Sequence, residues 1–96
     1  MFRVVRSNQF QAWVTSLRDK KAKALISARI DRMAAGLMGD VKVVATGITE
    51  ARIHYGPGYR IYFTRRDQEL IFILAGGDKS SQDRDIEAAI RIRAEI

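Results

Sequence analysis

The hydrophobic period of this chain changes once, near Asp40, and that change restricts the available folds more than any other feature. Before it, Phe10, Trp13, Val14 and Leu17 recur at i, i+3, i+4 and i+7, one buried helical stripe capped by Ser7 or Asn8. After "RDKKAK", Ala22, Ile26, Ile30, Met33 and Leu37 share one face of a second helix, with Gly36 as its stop and "GD" at 39–40 as a turn. Two helices so closely joined pack as an antiparallel hairpin. From Asp40 the period is two. "VKVVA" (41–45), "ITEARIHY" (48–55), "GYRIYFTRR" (58–66) and "ELIFILA" (69–75) read as four strands, with "YGPG" (55–58) a turn between the second and third of them. The last of these is apolar on both faces, which marks a central strand. "FRVV" (2–5) is a short first strand that joins the sheet most simply at an edge. "SQDRDIEAAIRIRAEI" (81–96) closes the chain as a helix with Ile86, Ala89, Ile90 and Arg93 in register. The order predicts one α+β domain over residues 1–96, with helices on one side of a small antiparallel sheet.

Composition removes several classes of function. At 96 residues and 47% hydrophobic, the chain supports one core and is not disordered. It has no cysteine, hence no disulfide framework or thiolate metal site, which fits a reducing compartment such as the cytoplasm. One histidine makes no dedicated zinc site, so the reading carries no metal and no cofactor. No apolar run approaches a membrane span, and "MFRVVRSNQF" has no signal-peptide core. The net charge is +6, and residues 1–36 account for all of it, with eight Lys or Arg against two Asp. Such a domain favours a polyanion or an acidic protein as partner. Lys20, Lys21 and Lys23 lie mostly off the apolar stripe and are candidate substrate contacts. The competing reading is a merely solvated basic helix.

Strand alternation assigns the remaining polar residues to faces. Ala51, Ile53 and Tyr55, with Tyr59, Ile61 and Phe63, belong under the helices. Glu50, Arg52, His54, Arg60 and Tyr62 then lie together on the opposite face of one hairpin. Two arginines, a histidine, a tyrosine and a carboxylate form a set able to bind and act on a phosphodiester: arginines grip phosphate, histidine moves protons near neutral pH, tyrosine stacks or donates. Tyr62 has the alternative of packing beneath the last helix. Cross-strand Glu/Arg pairs also occur for stability alone. The stretch "ILAGGDKSSQDRDI" (73–86) has two readings as well. In one, Gly76 and Gly77 break the strand, Ser80 or Ser81 caps the next helix, and Asp83 and Asp85 sit near its positive end. In the other, the glycines end the strand so that Lys79 stands at the rim of the same site.

"GITEARIHYGPGYRIYF" (47–63) followed by "LAGGDKSSQDRDI" (74–86) resembles the RelE/ParE toxin superfamily of bacterial toxin–antitoxin modules, and within it the HigB-like branch of addiction-module killer, or phage-derived Gp49-like, proteins. "FQAWVTSLRDKKAKALISARIDRMAAGLMGDVKVV" (10–44) matches the helical hairpin of that branch, so the likeness covers almost the whole chain. The resemblance implies a RelE-like fold. It also implies a toxin neutralised by a cognate antitoxin, usually a helix-turn-helix protein through which the complex meets operator DNA. Many relatives cut messenger RNA in the ribosomal A site, whereas ParE-like relatives inhibit DNA gyrase.

By the same resemblance, Arg60 matches a phosphate-gripping arginine and Arg52 falls near a basic residue on the preceding strand. Lys79 falls where ribosome-dependent nucleases carry a catalytic arginine. Asp85 departs from the pattern, standing where some relatives have a base-stacking tyrosine. The implied chemistry is metal-independent attack by the RNA's own 2′-hydroxyl. Arg52 and Arg60 then stabilise the phosphate, His54 or Glu50 transfers the proton, and Lys79 stabilises charge or acts as the acid. Glu50, Tyr62, Lys20, Lys21 and Lys23 serve as substrate contacts. A gyrase inhibitor, or an inactive homologue acting only through antitoxin binding, is the alternative.

Overall fold

The computed structural model describes all residues from Met1 to Ile96. In chain order the elements are β1 (Arg3–Arg6), α1 (Asn8–Ser16), α2 (Lys20–Ala34), β2 (Val41–Ala45), β3 (Ile48–Ile53), β4 (Tyr59–Arg66), β5 (Leu70–Asp78), a single 3-10 turn (Lys79–Ser81) and α3 (Gln82–Ala94). No helix is long and apolar enough to cross a membrane.

One five-stranded sheet has the order β1-β5-β4-β3-β2. β1 occupies an edge, as expected, but pairs in parallel with β5, so the sheet is mixed rather than antiparallel. The other three pairings are antiparallel. Ser7 ties this edge to the first helix. Its hydroxyl accepts the Phe10 amide at 3.0 Å as the N-cap of α1 and donates to the Leu74 carbonyl of β5 at 2.5 Å. α2 starts at Asp19, whose carboxylate accepts the Lys21 and Ala22 amides. It stops at Gly36, whose φ of 92° permits the Gly36→Met33 and Leu37→Arg32 backbone bonds of a Schellman ending. Leu37, expected on the apolar face of α2, therefore lies beyond the helix and is exposed.

α1 and α2 cover one face of the sheet. Phe10, Ala22, Ile26, Ile30 and Met33 pack there with Ala51, Ile53, Tyr59, Ile61, Phe63, Ile71 and Ile73. α3 covers the other face, over Ile48, Tyr62, Leu74 and Ala75. The sheet is thus sandwiched between helices, not covered on one side. A β-bulge at Leu74, where the register with β4 slips, lets Leu74 and Ala75 both pack on the α3 side.

The two glycines of β5 do not break it. The strand runs through Gly76 and Gly77 to Asp78, with Gly76 opposite Ile61 and Gly77 opposite Arg60. Each glycine removes a side chain where a bulky group closes on the sheet. A Cβ at Gly76 would stand 2.4 Å from the Trp13 ring of α1. At Gly77 it would collide with the Asp85 carboxylate of α3. Helices from both faces therefore approach one strand at consecutive residues. This also corrects the face of α3. The buried residues are Asp85, Ala88 and Ala89, while Ile90 is 47% exposed and Arg93 is exposed. Compared with the stripe through Ile86, Ala89, Ile90 and Arg93, the helix is turned so that Asp85 sits over Gly77 and the small alanines lie on the sheet.

The capping after β5 differs as well. Asp78 accepts the Ser80 amide and hydroxyl and opens the 3-10 turn, and these bonds hold its carboxyl below the ordinary range, the hydroxyl contributing most. Ser81 precedes α3 without a side-chain capping bond, and its hydroxyl donates to Asp85 instead.

Candidate functional site

The β3–β4 hairpin sets Arg52 directly opposite Arg60, and Glu50 opposite Tyr62. Like charges facing each other across a ladder repel unless each is compensated. Each is. Arg52 Nη2 lies 2.9 Å from Asp40 Oδ1, and Arg60 Nη1 lies 3.3 Å from Glu50 Oε1.

Asp40 also holds the histidine. His54 Nε2 is 2.6 Å from Asp40 Oδ2, so one carboxylate bridges His54 and Arg52. These two bonds, the one to His54 first, hold the Asp40 carboxyl below its ordinary range. The bridge follows from the β2–β3 hairpin, in which the Arg52 amide donates to the Asp40 carbonyl at 3.0 Å. Arg29 of α2 braces the same end of β3 by donating to the Arg52 carbonyl at 2.7 Å. Sequence reading took Asp40 only as a turn residue. Counting the register back from the Thr46-Gly47 turn would set it opposite Ile53; a β-bulge at Val44 shifts the pairing by one residue and brings Asp40 to Arg52.

Arg52, His54, Arg60 and Lys79 all line one cleft of about 440 Å3, walled by the turn Tyr55–Gly58. Lys79 reaches it because its Cβ lies beside Gly58, 3.7 Å from where a Cβ there would be. The four residues expected to do chemistry therefore converge, although they come from β3 and its exit, β4, and the turn after β5. The Nε atoms of Arg52 and Arg60 are buried and have no hydrogen-bond partner. No group of three His, Asp or Glu side chains is placed to hold a metal ion.

Two expected members do not face the cleft. Glu50 is 1% exposed, and besides Arg60 it accepts the Gln82 amide of α3 at 2.8 Å. Tyr62 is fully buried beneath α3. Its hydroxyl has no hydrogen-bond partner, and burial first, then the Glu50 charge, pushes its ionisation far above the ordinary tyrosine range. Neither presents a surface to a base or to solvent. The cause is α3, which covers the half of this face assumed open. Gln82 joins the polar group for the same reason, and no local pattern marked it.

Of the three lysines, only Lys21 comes to the cleft's margin, with its Nζ 5.3 Å from the centre of the Tyr55 ring. Lys23 donates to the Thr15 carbonyl, and Lys20 is exposed without a polar contact to the cleft residues. Tyr55, assigned by alternation to the covered face, lies past the end of β3. It is half-buried against the α1/α2 core and also lines the cleft.

No family model matches the chain. A Haemophilus influenzae protein, described as an uncharacterized protein, is 45% identical to it over 87 residues, which span 91% of this chain and 88% of that protein. That identity, over nearly the full length of both, makes the chain a member of the same protein family as the H. influenzae protein.

Proposed function

We propose that the protein is the toxin of a type II toxin–antitoxin module, with a RelE-like fold of the HigB-like branch, and that it inhibits translation in the cytoplasm by cutting mRNA on the ribosome. The sequence resemblance over residues 10–44, 47–63 and 74–86 motivates this reading. The observation that carries it is the convergence of two opposed arginines, a carboxylate-bound histidine and a lysine in one cleft.

In this reading the scissile phosphate lies against Arg52 and Arg60, whose guanidiniums stabilise the charge that grows on its oxygens. His54 has Nε2 occupied by Asp40, which leaves Nδ1 to accept the 2′-hydroxyl proton. The 2′-oxygen bonds to phosphorus as the bond to the 5′-oxygen breaks, and Lys79 protonates the departing oxygen. The products are a 2′,3′-cyclic phosphate and a 5′-hydroxyl. Glu50 is out of reach of the 2′-hydroxyl, because it is sealed under α3 beside Arg60. A cognate helix-turn-helix antitoxin, covering this cationic surface with acidic residues, would bind more tightly at low salt.

The deciding experiment is primer extension on transcripts from cells expressing the protein briefly, beside the variant His54→Ala, Lys79→Ala. Both side chains are exposed, so the fold does not depend on them. Cuts within translated regions that vanish in the variant are expected. Intact transcripts with growth still arrested would refute the nuclease reading and direct attention to gyrase.

A further inference from the structure

A nuclease that grips only phosphates has no means of holding a base, and neither Tyr62 nor the position of Asp85 supplies one. Tyr62 is buried, and Asp85 packs on Gly77. Tyr55 is the aromatic ring that lines the cleft with the arginines.

Its orientation is set from several sides. The Tyr55 hydroxyl donates to Asp19 Oδ2 at 2.9 Å, while Asp19 Oδ1 accepts the Lys21 and Ala22 amides at the start of α2. Its own amide donates to the Ile53 carbonyl at 2.9 Å, and its carbonyl accepts the Gly58 amide at 3.1 Å. The ring is thus anchored to a helix start at its tip and to a tight turn at its base. The Lys21 ammonium lies over it. Single-stranded nucleic acid sites combine these elements: an aromatic face for a base and cations that follow the backbone. A fixed ring also loses little conformational entropy when a base stacks on it.

We infer that Tyr55 is the stacking platform for a nucleobase of single-stranded RNA, next to the phosphate held by Arg52 and Arg60, with the exposed Lys21 side chain leaving the ring face to meet the adjoining phosphate. This rests on the nuclease reading and adds a base subsite to it. The competing explanation is that Tyr55 only staples the turn to α2. The two differ in what they require: a staple needs the hydroxyl, a platform needs the ring.

The test is binding of a short single-stranded RNA carrying 2-aminopurine, read by fluorescence, with inorganic tripolyphosphate as a probe of the phosphate site alone. Tyr55→Phe and Tyr55→Trp are expected to bind the RNA within about threefold of the wild type, whereas Tyr55→Leu loses about tenfold or more, the scale of one base–aromatic stack. Tripolyphosphate affinity should be equal in all four proteins. If Tyr55→Leu bound RNA as the wild type does, or if Tyr55→Phe and Tyr55→Trp lost as much as Tyr55→Leu, the platform would be refuted and the nuclease reading would stand. If the wild type bound tripolyphosphate but no RNA, the base subsite would be refuted, while the nuclease reading, which places the cut on the ribosome, is decided by the primer extension.

Discussion

Alanine at Gly76 would put a methyl group inside the space of the Trp13 indole. The added Cβ would stand 2.4 Å from Cε3 and Cζ3 of that ring, whereas carbon atoms in contact sit at about 3.5–4.0 Å. Neither partner retreats easily. Trp13 is flanked by Phe10 and Tyr59, with ring centres 5.8 and 6.1 Å away. β5 is held at this point by its pairing with β4, Gly76 opposite Ile61. Overpacking of this kind costs about 1–3 kcal/mol. Against it stands the gain of about 0.5–1 kcal/mol from removing a glycine within a strand, a gain open to Gly76 because its φ is not positive. A net loss of about 1–2 kcal/mol follows, and in a domain of this size that lowers Tm by about 4–16 °C. The assay is thermal unfolding by circular dichroism of four proteins: wild type, Gly76→Ala, Trp13→Leu, and the double variant. In the Trp13→Leu background the clash is gone, so Gly76→Ala should become neutral or stabilising by about 0.5–1 kcal/mol. A similar loss in both backgrounds would show that Gly76 serves the backbone rather than the indole. No loss in the wild-type background would refute the packing argument outright.

Other perturbations separate structure from chemistry. Tyr62→Phe removes a buried hydroxyl that has no partner, so stability should hold or rise by about 1 kcal/mol, and RNA cleavage should be unchanged. Loss of cleavage in a folded Tyr62→Phe protein would put that hydroxyl in the site after all. Arg60→Ala leaves the Glu50 carboxylate sealed without its cation, a change that costs about 3–5 kcal/mol. Chemical denaturation should show that loss, and Arg60→Ala with wild-type stability would mean that Gln82 alone suffices for Glu50. Asp40→Ala frees both His54 and Arg52, and cleavage should fall by about a hundredfold, the scale of a misplaced catalytic group. Its Tm should change little, because the ion pairs are solvent-exposed. The pH dependence of this tie has a definite sign. A carboxyl lowered in the folded state adds stability that is present above its ordinary value of 3.8 and disappears as pH falls through the lowered value. The Asp40 carboxyl carbon, followed by NMR, should titrate below 3.8 in the wild type and move upward in His54→Ala. An unchanged midpoint would mean that His54 does not bear on Asp40.

Much of this fold is legible in local pattern. The helical stripe from Phe10, the face Ala22–Ile26–Ile30–Met33, the exact span of β2 and the alternation of β3 and β4 are all recoverable, because each period reports which side chains of one element share a face. The same alternation grouped Arg52 and Arg60, which the register then set opposite each other. Alternation does not say whether a face is covered. Glu50 and Tyr62 carry the same periodic signal as Arg52 and Arg60, yet α3 buries the first two and leaves the others at its margin.

What the sequence determined by itself was the identity and order of the elements and, in α1, α2, β3 and β4, the side chains that turn the same way, since those depend on neighbours a few residues apart. Tertiary structure decided the rest. β5 continues through Gly76 and Gly77 because Trp13 and Asp85 close on it from opposite faces, and α3 turns Asp85 inward because Gly77 has no side chain to exclude it. Asp40 meets Arg52 and His54 because a hairpin folds β2 onto β3. Those contacts join residues whose local patterns are independent, so only the packed chain, with its volume and charge to satisfy, brings them together.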